Sequence, residues 1–131
     1  MTVWTGRFSG GALAARAARH AVREALSDVL PEPRLGDVEL LVSELATNSV
    51  RHAGCDEAGE ISMTALVDDR CVRLRVCDDG TGFDEKGRPQ PRTDRAGGYG
   101  LLLVDRLADR WGVQRNGGFC VWFEVARARS A

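Results

Sequence analysis

The sequence lacks a long apolar run, a surplus of basic residues and a recognisable secretion signal. The chain has 131 residues and no stretch of about 20 apolar ones, so it predicts no membrane-spanning helix. A net charge of −1 gives no indication of nucleic-acid binding. The N-terminus, MTVWTGRFSGGALAARAARH, has no basic start, continuous apolar segment or cleavage site. These absences predict a cytoplasmic protein that binds neither membranes nor nucleic acids.

Cysteine pairs of the kind that bind metals are also missing. The four cysteines stand at positions 55, 71, 77 and 120. No Cys-x-x-Cys occurs, and neither histidine lies at the spacing of a zinc finger, which argues against a zinc site. Because disulfides are uncommon in cytoplasmic proteins, we expect none, and we expect Cys71 and Cys77 to be buried or half-buried thiols.

The composition of the chain is typical of one globular domain. Hydrophobic residues make up 44% and charged residues 28%, a mixture typical of a soluble fold with a core. No internal repeat, linker or low-complexity segment divides the chain. The sequence therefore predicts a single domain over residues 1–131.

Local patterns predict an α/β fold, a two-layer α+β sandwich. Helices are predicted over 9–30, 35–54 and 101–111. Strands are predicted over 3–8, over 60–67 and 71–78 as a hairpin, and over 112–116 and 119–128 as a second hairpin. Ser9 is expected to cap the first helix, and Pro31 to stop it. Three helices would then lie on one face of a mixed, largely antiparallel sheet.

Three polar residues recur at every fourth position of the second helix, in the stretch SELATNSVRHAG. An α-helix turns about 100° per residue, so Asn48 and His52 lie about 40° and 80° from Glu44. Leu41 and Leu45 lie about 60° and 100° away in the same direction, so the polar row runs into the apolar stripe. Because burying a carboxylate or an amide without a partner is costly, the row needs partners.

Two kinds of partner remain open for this row. Glu44 can pair with Arg51 or another cation, and Asn48 with the backbone. Alternatively, the row lines a cleft between helix and sheet and meets a ligand. Glu44 would then serve as a general base, Asn48 as an oxygen ligand of Mg²⁺ and His52 as a phosphate contact. Mg²⁺ typically takes few protein oxygens together with substrate phosphates, which suits a single amide.

Two glycine motifs follow in the second half of the chain. CDDGTGF places Asp78 at the end of a predicted strand, ahead of Gly80 and Gly82. A carboxylate at this position can accept a hydrogen bond from an exocyclic amine, while the glycines admit a ligand close to the backbone. GGYGLLLV places Gly98 and Gly100 before a predicted helix, whose first N–H groups and positive dipole end suit phosphates. Either motif alone also fits an ordinary turn.

In this order, the three motifs resemble those of the Bergerat-fold ATP-binding superfamily of gyrase, histidine kinases and mismatch-repair ATPases. VSELATNSVRHAG is similar to the N box of that superfamily, VCDDGTGF to its first glycine box, and GGYGLLLVDRLADRWG to its second. The resemblance covers nearly the whole chain. Within the superfamily, the chain looks most like the bacterial anti-sigma-factor serine kinases and related stand-alone regulatory ATPases. The resemblance implies a Bergerat fold that binds ATP and Mg²⁺.

The resemblance also implies roles for the polar residues. Glu44 matches the general base that activates the attacking hydroxyl or water, and Asn48 matches the Mg²⁺ ligand. Asp78 matches the carboxylate that contacts the adenine amine. His52 lies where this subfamily often has a histidine, close to the phosphates or the lid. A histidine satisfied at the end of its helix explains that residue equally well.

The glycines fit the same pattern. Gly80 and Gly82 match the first box, on the adenine side of the nucleotide. Gly98 and Gly100 match the second box, which contacts the phosphates, and residues 84–97 would form the ATP lid.

One position departs from the family pattern. The family often carries a threonine near the adenine in its last strand, and Cys120 in GGFCVWFE takes that place. A thiol is a weaker hydrogen-bond partner than a hydroxyl, so this exchange would either weaken adenine binding or simply fill space.

The function that the resemblance implies is an ATP-dependent protein serine/threonine kinase of the anti-sigma type. Such a protein sequesters a sigma factor and phosphorylates an anti-sigma antagonist on a hydroxyl group. Two other functions stay open: an ATP-binding interaction module that transfers no phosphate, and a plain ATP hydrolase. The presence of Glu44 favours chemistry over binding alone, because a pure binder has no need of a base. The resemblance also suggests a homodimer.

Overall fold

The computed structural model describes residues 2–53, 59–78, 101–115 and 118–127, with the side chains of 51–53 excepted. In chain order the elements are β1 (Thr2–Ser9), α1 (Ala14–Leu26), α2 (Arg34–Ala53), β2 (Glu60–Val67), β3 (Cys71–Asp78), α3 (Leu101–Leu107), β4 (Arg110–Gln114) and β5 (Phe119–Ala126). The strands form one sheet in the order β1-β2-β3-β5-β4, and every neighbouring pair is antiparallel. The predicted α/β class is confirmed, and the described sheet is antiparallel throughout.

One face of the sheet packs against the helices. Side chains alternate between the two faces of a strand, and the buried residues of β2, β3 and β5 all belong to the same face. They share a single core with the buried residues of α1, which recur every four positions: Ala14, Ala18, Val22 and Leu26. Helix α1 is therefore an amphipathic cover for the sheet.

The other face carries none of the fully buried side chains. We call it the open face, and it comprises the odd-numbered residues of β1 and β3 and the even-numbered residues of β2, β4 and β5. Each of these residues is half-buried or exposed. The burial pattern thus places the described helices on one side of the sheet, as predicted.

The ends of two helices differ from the prediction. Helix α1 begins at Ala14, and Leu13 precedes it with no side-chain cap. Ser9 is instead the last residue of β1, because Gly11, with φ 92°, turns the chain between the strand and the helix. Helix α3 ends at Leu107, and Trp111 belongs to β4, where it pairs with Phe123. Pairing with Phe123 on the neighbouring strand therefore places Trp111 in a strand and not in the helix that precedes it.

A carboxylate that the sequence patterns did not single out fixes the start of α2. Glu32 accepts a hydrogen bond from the backbone N–H of Gly36 at 3.0 Å and another from the Arg23 guanidinium at 2.8 Å. The Arg23 contact is the main reason that the pKa of Glu32 lies below its ordinary value. Arg23 also forms an ion pair with Glu39, so these charges link α1 to the first turns of α2.

The cysteines differ from the prediction in one respect. Cys77 and Cys120 form a disulfide between β3 and β5, with their Cα atoms 4.1 Å apart. The expectation that the chain has no disulfide, with Cys77 a free thiol, is wrong, because the strand register places the two residues directly opposite each other. Cys71 is a free, half-buried thiol as predicted.

The helices of the described segments include none that is both long and apolar enough to cross a membrane.

Candidate functional site

The polar row of α2 lies at the margin of the core. Glu44 and Asn48 are half-buried, and the neighbouring Leu41 and Leu45 are 0% and 3% exposed. Their exposure agrees with the helix geometry, in which the row borders the apolar stripe. Helix α2 contacts β3, the central strand of the sheet.

Glu44 and Asn48 differ in how far the described residues satisfy their side chains. No cation of the described residues pairs with the Glu44 carboxylate, and the side chain of its possible partner Arg51 lies outside the described part. The side-chain nitrogen of Asn48 is buried and has no hydrogen-bond partner among the described residues. Buried amides are nearly always hydrogen-bonded, so this one fits a site that a ligand completes.

Chemically, the pair offers a base beside a ligand for a cation. The oxygen and nitrogen of an asparagine amide are assigned from their surroundings, so Asn48 can present an oxygen to a cation or an N–H to a phosphate. This donor set fits Mg²⁺, which binds through one or two protein oxygens together with substrate phosphates.

Asp78 is the last residue of β3 and is only 7% exposed. It shares the helix-facing side of β3 with Val72, Leu74 and Val76, all of which are buried. A carboxylate in such a place requires hydrogen-bond donors. The structure thus places Asp78 on the helix-facing side of the sheet, the side on which α2 lies.

The structure does not support the place near the adenine that the resemblance gave to Cys120. Consecutive residues of a strand point to opposite faces, so Cys77 and Asp78 lie on opposite sides of the sheet. Cys120 is bonded to Cys77 and therefore belongs to the open face, away from Asp78. The residue of β5 that lies opposite Asp78 is Phe119, which packs partly against the core.

Phe119, beside Asp78, is a position that the sequence motifs did not single out. The signal was present in the sequence, because Phe119, Val121, Phe123 and Val125 alternate through FCVWFEVA and mark the core-facing side of the strand. Counting this alternation places Cys120 on the other side.

The other predicted site residues can be located only in part. His52 belongs to the last turn of α2, but its side chain lies outside the described residues. The four motif glycines, Gly80, Gly82, Gly98 and Gly100, also lie outside them, as does the predicted lid over 84–97. Helix α3 begins at Leu101, so the second glycine motif does lead directly into a helix.

The described fold is an antiparallel sheet with helices on one side, a polar row on α2 and a buried aspartate at the end of β3. These are the features expected of the ATP-binding superfamily that the sequence motifs resemble. The model of the histidine kinase-like ATPase domain family matches residues 11–125. The chain belongs to this family.

Named relatives make the likeness more specific. The chain is 38% identical over 84 residues to the serine-protein kinase RsbW of Listeria monocytogenes serovar 1/2a, a match that covers 56% of this chain and 54% of the relative. It is 35% identical over 96 residues to RsbW of Bacillus licheniformis, and 37% identical over 98 residues to RsbW of Bacillus pumilus. Each of these two matches covers 65% of this chain and 60% of the relative. The aligned part thus spans little more than half the length of these relatives.

Proposed function

We propose that the protein is an ATP-dependent serine/threonine kinase of the anti-sigma type. It would transfer the γ-phosphoryl group of ATP to a hydroxyl of an anti-sigma antagonist and would also bind a sigma factor. Membership of the ATPase family and the kinase names of the relatives support this proposal. The observation that carries it is the half-buried Glu44, which pairs with no described cation, one helical turn from the buried amide of Asn48.

In this proposal each described polar residue has one task. Asp78 accepts a hydrogen bond from the adenine amine. Asn48 holds Mg²⁺, which when bound neutralises charge on the phosphates. Glu44 takes the proton of the attacking hydroxyl as that oxygen bonds to the γ-phosphorus and the bond to the ADP oxygen breaks. His52 would contact the phosphates or the lid.

The glycines complete the proposed nucleotide site. Gly80 and Gly82 would let the backbone approach the adenine side closely. Gly98 and Gly100 would present the N–H groups that precede α3 to the phosphates. We also propose that residues 1–131 form one domain, that the protein is cytoplasmic and that it forms a homodimer.

The proposal is tested by replacing Glu44 with glutamine, which keeps the shape of the side chain and removes its basicity. The affinity for Mg·ATP, measured by calorimetry, should stay within about twofold of the wild-type value. Phosphoryl transfer to a purified antagonist protein should be slower than in the wild type by about 100-fold or more. The control Glu24→Gln removes the same charge from the exposed face of α1 and should behave as the wild type does.

Other outcomes would select the alternatives. An unchanged transfer rate in Glu44→Gln would remove this residue from the role of base. Phosphate release without any labelled protein would identify a hydrolase. Binding of Mg·ATP without transfer or hydrolysis would identify an interaction module whose shape the nucleotide controls.

A further inference from the structure

The open face of the sheet is positively charged, although the chain as a whole is not. The described strands place four arginines on this face, Arg7, Arg73, Arg75 and Arg110, against two glutamates, Glu60 and Glu124. The net charge of the chain is −1. Positive charge is therefore concentrated on the side of the sheet that the helices leave uncovered.

One glutamate is held by two of these arginines. The Glu124 carboxylate lies 3.3 Å from the Arg73 guanidinium and 3.5 Å from that of Arg110. Arg75 instead donates a hydrogen bond at 3.4 Å to the neutral amide oxygen of Gln114, and its side chain is exposed. The positive charge of Arg75 is thus available to an outside anion.

A shallow cavity of about 190 Å³ occupies the centre of this face. It is lined by Thr64, Leu66, Arg73, Arg75, Gln114 and Trp122. An indole and a leucine give it apolar surface, and two guanidinium groups and an amide give it polar surface. The cavity can therefore hold an apolar group and an anionic group side by side.

Trp122 is held in place by its neighbours. The Arg73 guanidinium lies over its ring, 4.1 Å from the centroid. On the neighbouring strand, a Cβ atom at Gly112 would lie only 2.7 Å from the indole nitrogen. The absence of a side chain at Gly112 lets the indole lie flat against β4. The apolar part of the cavity is thus a fixed feature of the sheet.

We propose that the open face binds an acidic segment of a partner protein. One apolar side chain of that segment would contact Leu66 and the indole of Trp122, and a neighbouring carboxylate would pair with Arg75. Arginine binds carboxylates through two parallel hydrogen bonds, and tryptophan and arginine are enriched among the residues that dominate protein interfaces.

The size and charge of the face favour this occupant over others. Pockets for drug-sized molecules measure about 300–1,000 Å³, so the cavity suits a single side chain. A second copy of this chain would bring two sets of arginines together, and like charges across an interface are costly. The face also lies on the opposite side of the sheet from Asp78, so the proposed segment would not compete with a nucleotide.

The test uses two synthetic heptapeptides, each with a central phenylalanine flanked by three residues on either side, glutamates in one and lysines in the other. Nuclear magnetic resonance can follow the indole N–H of Trp122, assigned with Trp122→Phe. The acidic peptide should shift this signal, more strongly at low salt. The signal of Trp111, whose indole donates to Asp105 at 2.9 Å, should stay in place.

Two variants sharpen the test. Arg75→Gln should weaken binding of the acidic peptide about tenfold, because one charge-assisted contact is lost. Arg16→Gln removes an equal charge from the exposed side of α1 and should leave the affinity unchanged. Adding Mg·ATP should not alter the affinity for the acidic peptide. The peptide experiment therefore tests the open face independently of the proposed kinase activity.

Three outcomes would overturn the proposal. The first is a Trp122 signal that neither peptide moves at millimolar concentration. The second is equal binding of the acidic and the basic peptide. The third is a dimer, detected by sedimentation, in which the Trp122 signal changes with protein concentration, because a second copy would then cover the face.

Discussion

Replacing Asp78 with asparagine isolates the contact on which adenine recognition would depend. The side chain is 7% exposed and ends β3 on the helix-facing side of the sheet. Asparagine has nearly the same shape but can place an N–H group where the carboxylate accepts a hydrogen bond. A hydrogen bond to a charged group contributes about 1.5–3 kcal/mol, so the affinity for Mg·ATP should fall about 10- to 150-fold.

Calorimetric titration with ATP and with inosine triphosphate measures this effect and its origin together. Inosine carries a carbonyl oxygen in place of the exocyclic amine, so the wild type should favour ATP and Asp78→Asn should lose or invert that preference. Asp69→Asn removes the same charge from the exposed turn between β2 and β3 and serves as the control. Thermal unfolding checks that each variant is folded. An unchanged ATP affinity together with an unchanged preference would refute the assignment of Asp78.

Three further predictions concern the scaffold. Phe123→Ala should lower the free energy of unfolding in urea by about 3–5 kcal/mol, because the ring is fully buried; a loss below about 1 kcal/mol would contradict this. Arg23 lowers the pKa of Glu32, so Glu32 stabilises the fold at neutral pH and loses that effect as the pH falls through its lowered value. The melting temperatures of the wild type and Glu32→Gln should therefore converge towards pH 3, and a constant difference would argue against the contact. Burial, and then the Asp68 carboxylate, raise the pKa of Cys71. Its alkylation by iodoacetamide at pH 8, mapped by mass spectrometry, should be slower than that of a cysteine peptide, and an equal rate would show an open thiol.

The sequence predicted best those elements whose periodicity is long and unbroken. Strict alternation and a short turn leave one register, and they predict the hairpin of β2 and β3 at 60–67 and 71–78, where the structure has it. Helix α2 was predicted over 35–54 and is observed over Arg34–Ala53, since its apolar stripe is clear. The same stripe located Glu44 and Asn48 at the margin of the core.

Features that depend on distant partners could not be predicted from local patterns. The pairing of Cys77 with Cys120 follows from the register between strands that are 43 positions apart in the chain. Trp111 continues a helical pattern locally, yet it joins β4 because Phe123 pairs with it there. The resemblance puts Cys120 near the adenine, but a match of motifs does not state which face of a strand a residue occupies, and the register puts Cys120 on the open face.

Because the side chains of β3 alternate between its two faces, this one strand contributes to two different surfaces of the protein. Asp78 and the apolar residues of β3 face the helices, whereas Arg73 and Arg75 face the other side. Inserting a single residue within the strand would reverse every side chain beyond it. An insertion before Arg73 would carry both arginines into the core and Asp78 onto the open face. The length of β3 can therefore change only in steps of two residues if both surfaces are to survive, which gives the strand a stricter length constraint than the loops around it.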